Sequence, residues 1–141
     1  MAKSGPIIVL EDDADDEGIL EDILKELNIE NRLVWFTRSD DAFQYLKTTF
    51  DQPFIIFSDV NLPGLNGIEF KRRIDNDEEL RKKSIPFVFY STSVDQQAVN
   101  AAYTKMTVQG FFQKGKSYVE IKKDIRLILD YWRVCEHPNS K

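Results

Sequence analysis

Apolar residues along the chain keep two alternating rhythms. Short unbroken runs at 7–10, 33–36, 54–57, 86–90 and 110–112 are each bounded by polar or turn residues and predict buried strands. Between them the apolar positions step by three and four. Leu20, Ile23, Leu24 and Leu27 predict a helix ending near Asn28. Ser39 is the expected N-cap of a second helix carrying Ala42, Phe43, Leu46 and Phe50 on one face. Gly67 opens a third with Ile68, Phe70 and Ile74, and the charged stretch 75–83 either extends it or forms a surface loop. Val94, Ala98, Ala101, Ala102 and Met106 mark a weaker helix, and Tyr118, Ile121, Ile125, Ile128 and Trp132 the cleanest one. Continuous apolar strands alternating with amphipathic helices predict an α/β fold, a parallel sheet covered on both faces.

In such a sheet, ligands gather beyond the carboxyl ends of the strands. Glu11 and Asp12 end the first strand, Asp59 the third, Ser91 the fourth and Lys114 the fifth. Three carboxylates, a hydroxyl and an amine are then drawn to one edge. Hard oxygen donors of this kind suit Mg²⁺, and a lysine suits a phosphoryl oxygen as a point charge. The combination points to phosphoryl transfer onto a carboxylate, where positioning and charge neutralisation do most of the catalysis. Asp59 is the expected acceptor.

Composition narrows the setting. The 141 residues are 42% hydrophobic and 30% charged, enough for one packed domain. A net charge of −5 argues against a nucleic-acid surface, and Arg72, Arg73, Arg81, Lys82 and Lys83 read as a solvated helix face. One cysteine, Cys135, excludes an intrachain disulfide and fits a reducing, cytoplasmic location. No apolar run has signal-peptide or membrane-spanning character. The expected organisation is a leader at 1–5, one domain at 6–134 and a tail at 135–141, with no output domain. Cys135 and His137 find no partner in the sequence. From Glu11 to Asp22 eight of twelve residues are acidic, most of them suited to a helix amino terminus with Asp13 as N-cap.

Over residues 6 to 134 the chain resembles the receiver domain of two-component response regulators. The matching residues are the acidic pair in Val9-Leu10-Glu11-Asp12-Asp13, the aspartate in Ser58-Asp59-Val60-Asn61, the hydroxyl in Tyr90-Ser91-Thr92, and the lysine in Phe111-Phe112-Gln113-Lys114. The resemblance implies a five-stranded, doubly wound, flavodoxin-like sandwich with strand order 2-1-3-4-5. It implies that Asp59 takes a phosphoryl group from a sensor histidine kinase or phosphotransfer protein. Asp12 would bind Mg²⁺ directly, Glu11 through water and Asn61 through its backbone carbonyl. Ser91 would hold a phosphoryl oxygen, Lys114 would pair with the acyl phosphate, and Phe111 falls at the family's aromatic switch position. The chain departs from the family at Gly115, where proline usually follows the lysine, and at Ser91, where threonine is commoner.

Such a protein is a signalling switch, not a turnover enzyme. It would pass its signal to a downstream protein, with a phosphorylation-dependent homodimer as one form of output. Two other readings are a pseudo-receiver that binds partners without phosphorylation, and an Asp-nucleophile phosphohydrolase. The hydrolase reading lacks the usual second aspartate, since Asn61 stands two residues after Asp59, and it lacks an insertion for a substrate cap.

Overall fold

The computed structural model describes residues 2–63, 66–92 and 95–138. Five strands, β1 (Ile7–Leu10), β2 (Leu33–Phe36), β3 (Ile55–Ser58), β4 (Phe87–Ser91) and β5 (Gly110–Gln113), form one parallel sheet in the order β2-β1-β3-β4-β5. Six α-helices alternate with them: α1 (Ala14–Glu26), α2 (Ser39–Thr48), α3 (Gly67–Asn76), α4 (Glu78–Lys83), α5 (Gln96–Lys105) and α6 (Tyr118–Val134). Strand order and fold are those the sequence resemblance implies.

Because side chains alternate across a strand, the sheet divides the core in two. Ile7, Val9, Ile55, Phe57, Val88 and Tyr90 pack against α1 and α6 through residues such as Ile23, Leu24, Ile125 and Leu129. Ile8, Leu10, Ile56, Phe87 and Phe89 face the other way, onto Ala42, Leu46, Phe70, Leu80 and Ala102 of α2 to α5. The central strands are buried on both faces, which is why their sequences are unbroken apolar runs.

Three local expectations change. Arg38, not Ser39, is the residue that caps α2, and it makes no side-chain cap bond; Ser39 is the first helical residue and is buried. The helix ends at Thr48 and Thr49 turns extended, so Phe50 leaves the helical period and stands exposed. The stretch 75–83 is neither an extension nor a loop. Asp77 breaks it, its carboxylate accepting the Leu80 N–H at 3.1 Å to start α4, and Ser84 ends α4 in the left-handed region at φ 51°. Val94, expected in α5, and Gly64, Leu65 and Ser93 lie outside the described residues.

After α6 the chain folds back on the core. His137 is buried, its Nε2 2.6 Å from the Phe54 carbonyl oxygen, with its ring stacked on Phe54 at 5.5 Å. Among the described residues no helix is long and apolar enough to cross a membrane.

Candidate functional site

The backbone brings the strand ends together before any side chain acts. The parallel ladder runs past the apolar runs, by one residue at Glu11 and by two at Asp59 and Lys114. Asp59 N–H donates to the Leu10 carbonyl at 2.9 Å, Glu11 N–H to Phe36 at 3.0 Å, and Lys114 N–H to Ser91 at 2.8 Å. Asp59 is thereby fixed in the middle of the sheet, beside the ends of β1 and β4, and is buried with Glu11 and Ser91.

Around the Asp59 carboxylate, the Ser91 hydroxyl donates to Oδ1 at 2.6 Å and the Asn61 backbone N–H to the same oxygen at 3.3 Å. Glu11, Asp12 and Asp59 each offer an oxygen within 4.8 Å of the others. Asp12 is exposed at the rim and the other two are inside. Burial, followed by the hydrogen bond with Asp59, pushes the Glu11 carboxyl up to about 7, against the opposing pull of Lys114. A cluster of oxygen donors whose charges oppose one another fits a hard divalent cation.

The Lys114 Nζ sits 3.0 Å from Glu11 Oε2 and 2.8 Å from Asp16 Oδ2. Burial works against the ammonium, but the bonds to Asp16 and Glu11 outweigh it and hold its pKa above the usual lysine value. All described peptide bonds are trans, including the one joining Lys114 to Gly115. A Cβ at Gly115 would lie 2.6 Å from that of Glu120, so α6 approaches too closely there for a side chain. Gly115 therefore serves the packing of α6 while Lys114 still reaches the acidic cluster.

Phe111 is half-buried, its ring 5.2 Å from that of Phe89, and its N–H donates to the exposed Tyr103 hydroxyl at 2.9 Å. Asn61 meets Asp59 through its N–H, while its carbonyl is the atom the family resemblance names. Of the predicted residues, Glu11, Asp12, Asp59, Asn61, Ser91 and Lys114 come together, and Phe111 stands apart on β5.

Asp16 escaped the sequence reading. It lies in the first turn of α1, where acidic residues are expected for the dipole alone. The available signal was its side-chain direction: helical side chains lean toward the N-terminus, so an acid there points back over the end of β1. Trp35 was missed too. With Glu11, Asp16, Asp59 and Lys114 it lines a cavity of about 30 Å³, and its indole N–H is buried without a hydrogen-bond partner among the described residues.

Gly67 controls the loop after Asp59. Its N–H donates to the Val60 carbonyl at 2.8 Å, and a Cβ there would stand 2.1 Å from the Asp59 backbone oxygen. Gly67→Ala must push α3 away from the acceptor. We expect about 3 kcal/mol of lost stability in urea unfolding, the upper end of overpacking penalties; a change below about 0.5 kcal/mol, the range of neutral surface substitutions, would refute this contact.

A doubly wound sheet with an acidic, lysine-bearing crevice at its switch point defines a small α/β protein that gathers oxygen donors fit for a cation at the carboxyl ends of its strands. The chain belongs to the response regulator receiver domain family of two-component systems, whose family model matches residues 7–126. Response regulator Rcp1 of Synechocystis sp. is 25% identical over 131 residues, covering 89% of this chain and 87% of the relative. The probable methanogenesis regulatory protein FilR2 of Methanothrix harundinacea is 25% identical over 130 residues, 89% and 82% of the two chains. Among solved structures, the phosphorylated cyanobacterial phytochrome response regulator RcpA superposes with a TM-score of 0.85 at 23% identity, over 95% of this chain and 98% of its own. The Mn²⁺-bound form of Rcp1 gives 0.80 at 24% identity, over 94% and 97%.

Proposed function

We propose that this receiver domain is a phosphoryl acceptor whose modification at Asp59 switches its protein contacts. The observation that carries the reading is the placement of Asp59: buried at the end of β3, with Glu11 and Asp12 oxygens within 4.8 Å and the Ser91 hydroxyl at 2.6 Å. An Asp59 carboxylate oxygen attacks the phosphorus of a phosphohistidine or acyl phosphate. A new O–P bond forms as the bond to the donor breaks, and its electron pair leaves with the donor. Ser91, now bonded to Asp59, turns to a phosphoryl oxygen, and Lys114 supplies a positive charge from its place beside Glu11.

Glu11, Asp12, Asp59 and the Asn61 carbonyl would hold a divalent cation. The ion form of Rcp1 supports this class of ion, and Mg²⁺ is the species we propose. When bound it neutralises charge on the transferring group. Sensor histidine kinases or phosphotransfer proteins are the expected donors, in the cytoplasm. A loss of the Ser91–Asp59 bond at the end of β4 would be felt on β5 through Phe89 and Phe111, which pack together at 5.2 Å. The signal then leaves through α5, β5 and α6, to a downstream protein or a second copy of the chain.

Incubation with Mg²⁺ and acetyl phosphate should add one phosphoryl group by intact mass. Beryllofluoride with Mg²⁺ should change the fluorescence of Trp35, which lines the cavity beside Asp59. No added mass and no fluorescence change would sink the reading in favour of a pseudo-receiver. Repeated release of phosphate from ordinary phosphomonoesters would favour a hydrolase.

A further inference from the structure

The Lys114 ammonium is engaged away from the acceptor. Its Nζ donates to Asp16 Oδ2 at 2.8 Å and to Glu11 Oε2 at 3.0 Å, and lies 5.8 Å from the centre of the Tyr90 ring. Among the described residues it makes no bond to Asp59, whose Oδ1 accepts from Ser91 and Asn61 instead. One ammonium therefore stands between two carboxylates of different standing. Glu11 belongs to the oxygen cluster that includes Asp59, and Asp16 lies outside it.

The helix dipole does not account for where Asp16 points. Asp13 caps α1 through the Asp15 N–H at 3.0 Å, and Asp15 is exposed and serves the dipole from solvent. Asp16, one residue on, is carried inward by the helical turn and meets a lysine 98 positions away. The two carboxylates also differ in what they lose without that lysine. The Glu11 side chain is 8% exposed and the Asp16 side chain 26%. A released Asp16 meets water and remains beside the amino terminus of α1, where a negative charge is favoured. A released Glu11 would keep a buried charge without its ammonium.

A phosphoryl group on Asp59 brings up to about two negative charges into the cluster, on the Glu11 side of the lysine. Lysine is a point charge on a flexible stem, so the ammonium moves toward that group and gives up its outer partner. Resting on the acceptor role proposed above, we infer that Asp16 is a positioning residue that competes with the phosphoryl group for Lys114. In the unmodified protein it holds the ammonium off Asp59, and phosphorylation displaces it. A contact made in one state and lost in the other opposes the change by its own free energy. Asp16 thereby sets how strongly the modified state is favoured.

Beryllofluoride titrations of the full chain at saturating Mg²⁺, read by calorimetry, test this. Asp16→Asn keeps the side chain's shape without its charge and should bind about fivefold more tightly than wild type, the scale of a partly exposed ion pair. A merely structural Asp16 would weaken binding when altered, not tighten it. Asp16→Glu restores the charge and should stay within about twofold of wild type. Asp15→Asn removes a charge from the same turn without touching Lys114, and should also stay within about twofold because an exposed charge is screened. Unchanged or weaker binding by Asp16→Asn would overturn the inference, while wild-type binding left the acceptor role standing. Equal tightening by Asp15→Asn would overturn it too, since net charge alone would then explain the gain. A wild type that binds no beryllofluoride would end both readings.

Discussion

Asp59→Asn is expected to take up no phosphoryl group from acetyl phosphate while remaining folded. An amide has the carboxylate's shape but no nucleophilic oxygen anion. It also keeps an acceptor for the Ser91 hydroxyl, 2.6 Å from Oδ1 in the native protein, and for the Asn61 N–H at 3.3 Å. The variant should gain slightly in stability near neutral pH. Two of the influences raising the Glu11 carboxyl to about 7, its hydrogen bond with Asp59 and the charge repulsion between them, weaken or disappear. Burial, the largest, remains, so Glu11 should not return fully to 4.5. Intact mass after Mg²⁺ and acetyl phosphate checks the first outcome, and urea unfolding at pH 7 the second. Full labelling of Asp59→Asn would move the acceptor to another carboxylate, with Glu11 and Asp12, whose oxygens lie within 4.8 Å, as the candidates.

The fold was more legible in the sequence than the site's finer contacts, for a physical reason. Apolar runs located β1 and β2 to the residue, but they stopped one residue short of the ends of β3, β4 and β5. Those last residues are Ser58, Ser91 and Gln113, polar because they border the crevice, and the ladder continues through them regardless. The predicted strand ends were therefore displaced at the edge where function lies. Glu11, Asp59 and Lys114 were still found, since Glu11 follows its apolar run directly and Asp59 and Lys114 stand one polar residue beyond theirs. Asp16 and Lys71 were not. One hides in an acidic run that a helix dipole already explains, the other in a helix whose neighbours Arg72 and Arg73 are exposed. His137 packs on Phe54 from 83 positions away, a contact that no local pattern encodes.

Lys71 is the basis of a second large effect, on stability: Asp75→Ala should lower unfolding free energy by about 3 kcal/mol, while Lys71→Met should cost under about 1 kcal/mol. Lys71 is 3% exposed, and its Nζ donates to Asp75 Oδ1 at 2.8 Å and to the Thr107 hydroxyl at 3.1 Å, 5.1 Å over the Phe87 ring. Asp75 lies nearer the rim and keeps the Thr107 N–H and hydroxyl when the lysine is gone. Removing the acid strands a buried ammonium; removing the lysine leaves a carboxylate that still has donors. The protonation equilibria show the same asymmetry. Burial depresses the Lys71 pKa more than Asp75 restores it. Burial likewise opposes the Asp75 carboxylate, yet Lys71 and Thr107 together hold its carboxyl below 3.8. A depressed carboxyl stabilises the fold fully above its unfolded pKa, and that share is lost as pH falls through the lower folded value. Wild type should therefore lose a component of stability below pH 3.8 that Asp75→Ala lacks. Urea unfolding at pH 7 and across the acid range measures both. Equal losses in the two variants would mean that the ammonium reaches water or gives up its proton, and that Asp75 is not what makes its burial tolerable.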